Sequence, residues 1–235
     1  TGITDSARQV KDLYIDKKLA ARAVFLDPDL TFETPGWLWL STGIRAVDHC
    51  VEALCSTTAH PYTDGMAARA LDMLNRGLRE TKKGEDDHIV RTQCQIGAWL
   101  SVCGLANVTL GLSHGIGHQL GARNDVPHGH TSCVMMAPTM DFNKNHVGGR
   151  QAWIAEIMGV DTRTMSNEES AHAGREAVRN LIRDLGLPMR LRDVGVGKED
   201  FPFLAKDALE DLVVATNPRP VASIEEVIDI LEVAW

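Results

Sequence analysis

No stretch of this chain approaches the ~20 consecutive apolar residues that a membrane-spanning helix requires, and its first residues, TGITDSARQVKD, lack the charged-then-apolar order of a secretory signal. A cytoplasmic chain without a membrane partner is the expectation. There is no block of lysine and arginine either. The 24 basic and 32 acidic side chains leave a formal charge of -8, so a phosphate-tracking surface, and with it nucleic acid as a partner, is not expected. Five cysteines (Cys50, Cys55, Cys94, Cys103, Cys133) are an odd set without CxxC spacing, which argues against a disulfide framework and a structural zinc knuckle. They read as small buried hydrophobes. Repeats and low-complexity tracts are also missing. With 44% apolar and 24% charged residues in 235, the composition is that of a globular chain, not a disordered, collagenous or coiled-coil one.

Strand-forming sequence is scarce. It is confined to residues 1–28: Gly2-Ile3-Thr4, Leu13-Tyr14-Ile15 and the run Ala23-Val24-Phe25-Leu26, closed by Asp27-Pro28. A continuous apolar run such as Ala23–Leu26 belongs inside a covered sheet, yet nothing downstream offers partner strands, so the rest of that sheet is expected upstream of Thr1. From Pro35 onward the helical period dominates. Ala67, Ala70, Leu71, Leu74 and Leu78 form one stripe, and Ala177, Val178, Leu181, Ile182 and Leu185 a second. Phe201, Leu204, Ala205, Ala208, Leu209 and Leu212 form a third; Ile224, Val227, Ile228 and Leu231 form a fourth behind a Ser223-x-x-Glu226 capping box. Gly186-Leu187-Pro188 and Asn217-Pro218-Arg219-Pro220 punctuate them. The fold class read from this is mainly α: a single helical domain over 1–235 with a short β-rich N-terminal edge.

Polar chemistry concentrates in two places. On a helix through residues 41–54, Arg45, Asp48, His49 and Glu52 fall on one stripe, which is a solvated salt-bridge face unless a second polar set points at it. That second set lies further on, where four of the nine histidines (His114, His118, His128, His130) fall within seventeen residues. His114 and His118 share a helix face. Three imidazoles suit Zn²⁺ or Fe²⁺ with a position left open, whereas lone histidines commonly satisfy buried backbone groups. Gly115, Gly117, Gly121 and Gly129 imply close backbone approach to something. Gly115-x-Gly117-x-x-x-Gly121 imitates a dinucleotide fingerprint but lacks the preceding strand that gives the fingerprint its meaning.

The stretches STGIRAVDHCVEAL, ANVTLGLSHGIGHQLGARNDVPHGH, LRDVGVGKEDFPFLAKDAL and NPRPVASIEEVIDILEVAW, in collinear order over essentially the whole chain, resemble the C-terminal half of the iron-containing (group III) alcohol dehydrogenases, maleylacetate reductases included. The resemblance implies a helical bundle of the dehydroquinate synthase-like C-terminal kind. It also implies an N-terminal α/β domain that holds NAD(P) on a glycine-rich loop, with residues 1–28 as the remnant joining the two. That nucleotide domain, a small alcohol or carbonyl substrate and a homodimer are the implied partners.

The family's metal ligands are an aspartate, the histidine four residues on, and two histidines fourteen residues apart. These histidine positions fall on His49, His114 and His128, while the aspartate position is occupied by Arg45. Asp48 is not expected to replace it, because a neighbour of His49 projects about 100° around the helix. The histidine matching His118 borders the nicotinamide. Arg45 opposes binding of Fe or Zn but could hold a substrate carboxylate or polarise a carbonyl. Maleylacetate reductases also depart from the aspartate and reduce an acidic substrate without requiring metal. The implied function is hydride transfer between nicotinamide and an alcohol or carbonyl, with His118 and Arg45 as catalytic candidates. The alternatives are a truncated, non-catalytic helical domain in which Arg45 pairs with Asp48, His49 or Glu52, and a three-histidine hydrolase, which lacks an evident carboxylate base beside the cluster.

Overall fold

The computed structural model describes residues 2–5, 7, 10–13 and 16–235. A hairpin of β1 (Gly2–Asp5) and β2 (Val10–Leu13) pairs antiparallel, with Gly2 opposite Leu13. The helices follow as α1 (Pro28–Thr31), α2 (Gly36–Cys55), α3 (Pro61–Lys83), α4 (His88–Cys103), α5 (Leu112–Asn124), α6 (His128–Asn143), α7 (Arg150–Ile157), α8 (Asn167–Asp184), α9 (Phe201–Leu209) and α10 (Ile224–Ala234). The hairpin lies against α5. No helix among the described residues is long and apolar enough to cross a membrane.

The predicted stripes become two apolar cores. In the first, Ile44, Val47, Val51 and Leu54 of α2 meet Ala67, Ala70, Leu71, Leu74 and Leu78 of α3 and Val178, Leu181 and Ile182 of α8. The second gathers Leu112, Ile116 and Leu120 of α5 with Phe201, Leu204 and Ala208 of α9 and Val227 and Leu231 of α10. Helix α6 serves both, since Cys133, Met136 and Met140 enter the first core and Val134 and Met135 the second. A polar seam therefore runs between the cores along α2, α5 and α6, and the residues read as chemical sit in it.

Three expectations need correction. Ala23–Leu26 is irregular chain, not a strand: among the described residues no strand runs beside it to complete a ladder, and Phe25 is 91% exposed. Of the second predicted strand, Leu13 belongs to β2, and Tyr14 and Ile15 lie outside the described residues. The third stripe ends with α9 at Leu209, leaving Leu212 79% exposed. The capping box before α10 forms by half. Ser223 Oγ accepts the Glu226 N–H, but the Glu226 carboxylate takes the Ala222 N–H.

Candidate functional site

Glycine brings α2 and α6 together. A Cβ on Gly129 would stand 2.5 Å from the backbone C and O of Ser41, so only glycine permits this approach. Gly115 is held against Val214 in the same way, where a Cβ would lie 2.2 Å from Cγ2, and Gly117 faces Thr131 Oγ1 at 2.9 Å. Gly115, Gly117 and Gly129 thus approach the protein's own backbone and side chains, whereas Gly121, expected to do the same, has only Val126 O at an ordinary 3.6 Å.

At this crossing Arg45 Nη1 donates to Ser132 Oγ (3.0 Å), which donates to Asp48 Oδ2 (2.7 Å). Ser113 Oγ donates to the same oxygen at 2.8 Å, and Arg45 Nη1 itself lies 3.6 Å from it. The stripe read from the sequence is therefore interior: Arg45 is 7% and Asp48 0% exposed. One turn on, Glu52 reaches the start of α5. Oε2 accepts the Gly111 N–H and His114 Nδ1–H at 2.8 and 2.7 Å, and Oε1 accepts the Ser113 N–H at 2.8 Å. Asn217 Oδ1 accepts the N–H of Leu112 between them. The first N–H groups of α5, which an anion such as a pyrophosphate would otherwise seek, are taken by the chain's own side chains.

The four candidate histidines form two stacked pairs. The ring centroids of His49 and His114 are 4.9 Å apart, and those of His118 and His128 6.2 Å apart with planes 5° from parallel. His114 and His118 are buried, His49 is half-buried and His128 is exposed. His130 lies against Trp37 at 5.7 Å. His118 Nδ1 meets Asp211 Oδ2 at 2.9 Å. Within the cluster, Asp48 Oδ1, His114 Nε2, His49 Nδ1 and Arg45 Nε are buried without hydrogen-bond partners.

Burial dominates the ionisation pattern, and neighbouring charge modifies it. Burial, with Arg45 adding repulsion, holds His114 well below the ordinary imidazole range; burial, then His114 and Arg45, does the same for His49. Both are neutral near neutral pH. Burial also pulls the Arg45 guanidinium down, against the attraction of Asp48 and Glu52, and pushes both of those carboxyls up.

These donors do not fit a tightly held divalent ion. Among the described residues, the set of three whose ligand atoms all lie within 4.8 Å of one another is Asp48, Glu52 and His114, not the three histidines. Asp48 Oδ2 already accepts from the Ser113 and Ser132 hydroxyls, Glu52 Oε1 from the Ser113 N–H, and Glu52 Oε2 from the Gly111 N–H and His114 Nδ1. Arg45 adds a fixed positive charge beside them.

The sequence reading missed three features. Asp48 reaches the cluster after all, because the His114 ring sits beside both it and His49, with Nδ1 3.6 Å from Asp48 Oδ2. Carboxylates do stand next to the histidines, contrary to the expectation used against a hydrolase, although they are engaged as acceptors. Glu52 was visible only as one member of a polar stripe, and Asp211 carried no signal, since 93 residues separate it from His118.

The sequence model of the Fe-containing alcohol dehydrogenase family, C-terminal part, matches residues 39–235. Lactaldehyde reductase of Escherichia coli K12 is 35% identical over 99% of this chain and 60% of its own length. The NAD-dependent methanol dehydrogenase of Bacillus methanolicus is 32% identical over 98% and 60%. Maleylacetate reductase from Rhizobium sp. strain MTP-10005 superposes with a TM-score of 0.84 at 26% identity, covering all of this chain and 62% of that one. The chain spans about 60% of the length of the curated relatives it matches. With its two helical cores and the histidine seam between them, it belongs to the Fe-containing alcohol dehydrogenase family and corresponds to that family's C-terminal part.

Proposed function

We propose that the chain is the helical catalytic half of an NAD(P)-dependent oxidoreductase that interconverts an alcohol and a carbonyl, with a carboxylate-bearing substrate of the maleylacetate type preferred. One observation carries the substrate preference. The position of the family's metal-binding aspartate holds a buried guanidinium, fixed by Ser132 and Asp48, with Nε unpartnered beside two neutral imidazoles. An anion or developing alkoxide is the complement of such a group.

The nucleotide would be gripped by an upstream domain, because the α5 N-terminus is occupied by Glu52 and Asn217, and Gly115 and Gly117 are packed against Val214 and Thr131. Bound there, it would supply the hydride. In this chain Arg45 orients the substrate carboxylate or oxygen, His49 and His114 line the same seam as neutral groups, and His118 borders the nicotinamide and exchanges a proton with the substrate oxygen.

The natural full-length protein, assayed for oxidation of the reduced nicotinamide, tests this. Reduction of a keto acid with a second carboxylate, in preference to an uncharged aldehyde, is the expected result. Arg45→Leu should raise KM for the acid by roughly 10- to 100-fold, the equivalent of one lost charge-assisted hydrogen bond. No turnover of any carbonyl would leave the chain a non-catalytic helical domain.

A further inference from the structure

We propose that Asp211, in the loop after α9, is a positioning residue that fixes the tautomer of His118; the proposal rests on the oxidoreductase reading for what His118 does. Asp211 Oδ2 lies 2.9 Å from His118 Nδ1, and the two side chains are 4% and 8% exposed. Both Asp211 oxygens act as acceptors, so Nδ1 carries the hydrogen and Nε2 keeps its lone pair. Asp211 is itself fixed at both oxygens. Gln119 Nε2 donates to Oδ2 at 3.2 Å, and the Val213 N–H donates to Oδ1 at 2.8 Å.

The arrangement repeats that of Glu52 and His114 one helical turn earlier on α5, where Nδ1 donates to a carboxylate at 2.7 Å. Two imidazoles four residues apart thus receive the same tautomer from carboxylates on two different elements, α2 and the segment after α9. For His118 the consequence is chemical. Nε2 is the atom that can take the hydroxyl proton of an alcohol, the O–H bond breaking as the N–H bond forms, and return it to a carbonyl oxygen in the reverse direction. With the opposite tautomer, Nε2 already bears a hydrogen and cannot accept. The segment after α9, which carries none of the histidines, would then act on the chemistry through Asp211.

The test reads the tautomer directly. Long-range ¹⁵N–¹H correlation spectra of the chain at mildly alkaline pH, with the His118 signals assigned by their loss in His118→Gln, should show hydrogen on Nδ1 and a bare Nε2. In Asp211→Asn the Val213 N–H retains the amide oxygen, which turns the NH₂ toward His118 and should invert its tautomer while leaving the other eight of the nine histidines unchanged. In the natural full-length protein the same variant should lower kcat by roughly 10- to 100-fold with little change in KM. Hydrogen on Nε2 in the unmodified chain overturns the proposal even if the variant does not fold. So does an unchanged kcat alongside an inverted tautomer. If the tautomer inverts as expected but the unmodified full-length protein reduces no carbonyl, the oxidoreductase reading falls and the Asp211–His118 relationship stands.

Discussion

His114 donates Nδ1–H to Glu52 Oε2 over 2.7 Å, and the same carboxylate caps the N–H groups of Gly111 and Ser113 at 2.8 Å each. One side chain of α2 therefore both starts α5 and orients the histidine in its first turn. Glu52→Gln keeps the shape but offers a single oxygen, so its NH₂ must confront an N–H donor. The unmet buried group should cost about 2 kcal/mol, lowering Tm by roughly 4–8 °C. Thermal melting followed by circular dichroism checks this, and an unchanged Tm would show that water replaces the carboxylate.

Gly129 and Gly121 should respond oppositely to alanine. At Gly129 a Cβ meets the Ser41 backbone at 2.5 Å, which cannot swing aside; at Gly121 the nearest atom, Val126 O, is 3.6 Å away, an ordinary contact. Gly129→Ala should destabilise by about 1–3 kcal/mol through separation of α2 and α6. Gly121→Ala, inside α5, should be neutral or gain up to about 1 kcal/mol from helix propensity. Urea midpoints for the two variants moving in the same direction would contradict the packing described here.

What the sequence showed and what it hid follow from periodicity. Helices α3, α8 and α10 have one buried stripe each, and Leu71, Leu181 and Leu231 stand where the 3.6-residue pattern puts them. Helix α5 is buried on every side from Leu112 to Gln119, and α6 divides its faces between two cores, so neither shows a stripe and both were marked by histidine and glycine instead. The histidines from His114 to His130 were legible by residue type and spacing, whereas Arg45 and His49 joined them through their places in the family's motif. Asp211 was not, because its meaning depends on a fold that returns it to α5. The exposed run around Phe25 shows the reverse limit: apolar sequence states a preference for burial but does not supply the partner.

The thiols should be inert in the folded chain, with one exception. Cys50, Cys55, Cys94 and Cys133 are buried, and Cys103 is half-buried. Burial pushes Cys55 and Cys94 up to about 12 and raises Cys50 and Cys133 further. A raised thiol pKa keeps the nucleophilic thiolate scarce, so moving from neutral pH to about 9, past the ordinary value of about 8.5, should not open them. A disulfide reagent should titrate at most Cys103 in the native chain and all five cysteines after denaturation. Fast reaction of two or more native thiols would show that the α2–α6 core opens readily.

Arg45 decides between a metal site and an anion site. Its Nη1 stands 3.6 Å from Asp48 Oδ2 and 3.0 Å from Ser132 Oγ, so it neutralises one of the two carboxylates in the seam. Dialysed full-length protein should carry sub-stoichiometric Fe or Zn, because a guanidinium stands at the aspartate position and offsets Asp48, while Glu52 is taken up by the N–H groups of α5 and His114. Arg45→Asp reverses this. Without metal it places a carboxylate beside Asp48 and Glu52 and should cost about 3–5 kcal/mol, the scale for breaking a buried ion pair. Zinc at a hundredfold excess over its dissociation constant should then restore about 2.7 kcal/mol by mass action, a gain the unmodified chain does not share. Elemental analysis should show higher metal occupancy in the variant, and a carboxylate-bearing substrate should bind it more weakly. Full occupancy in the unmodified protein, indifferent to Arg45→Asp, would mean that the guanidinium exerts no control over the histidines it repels.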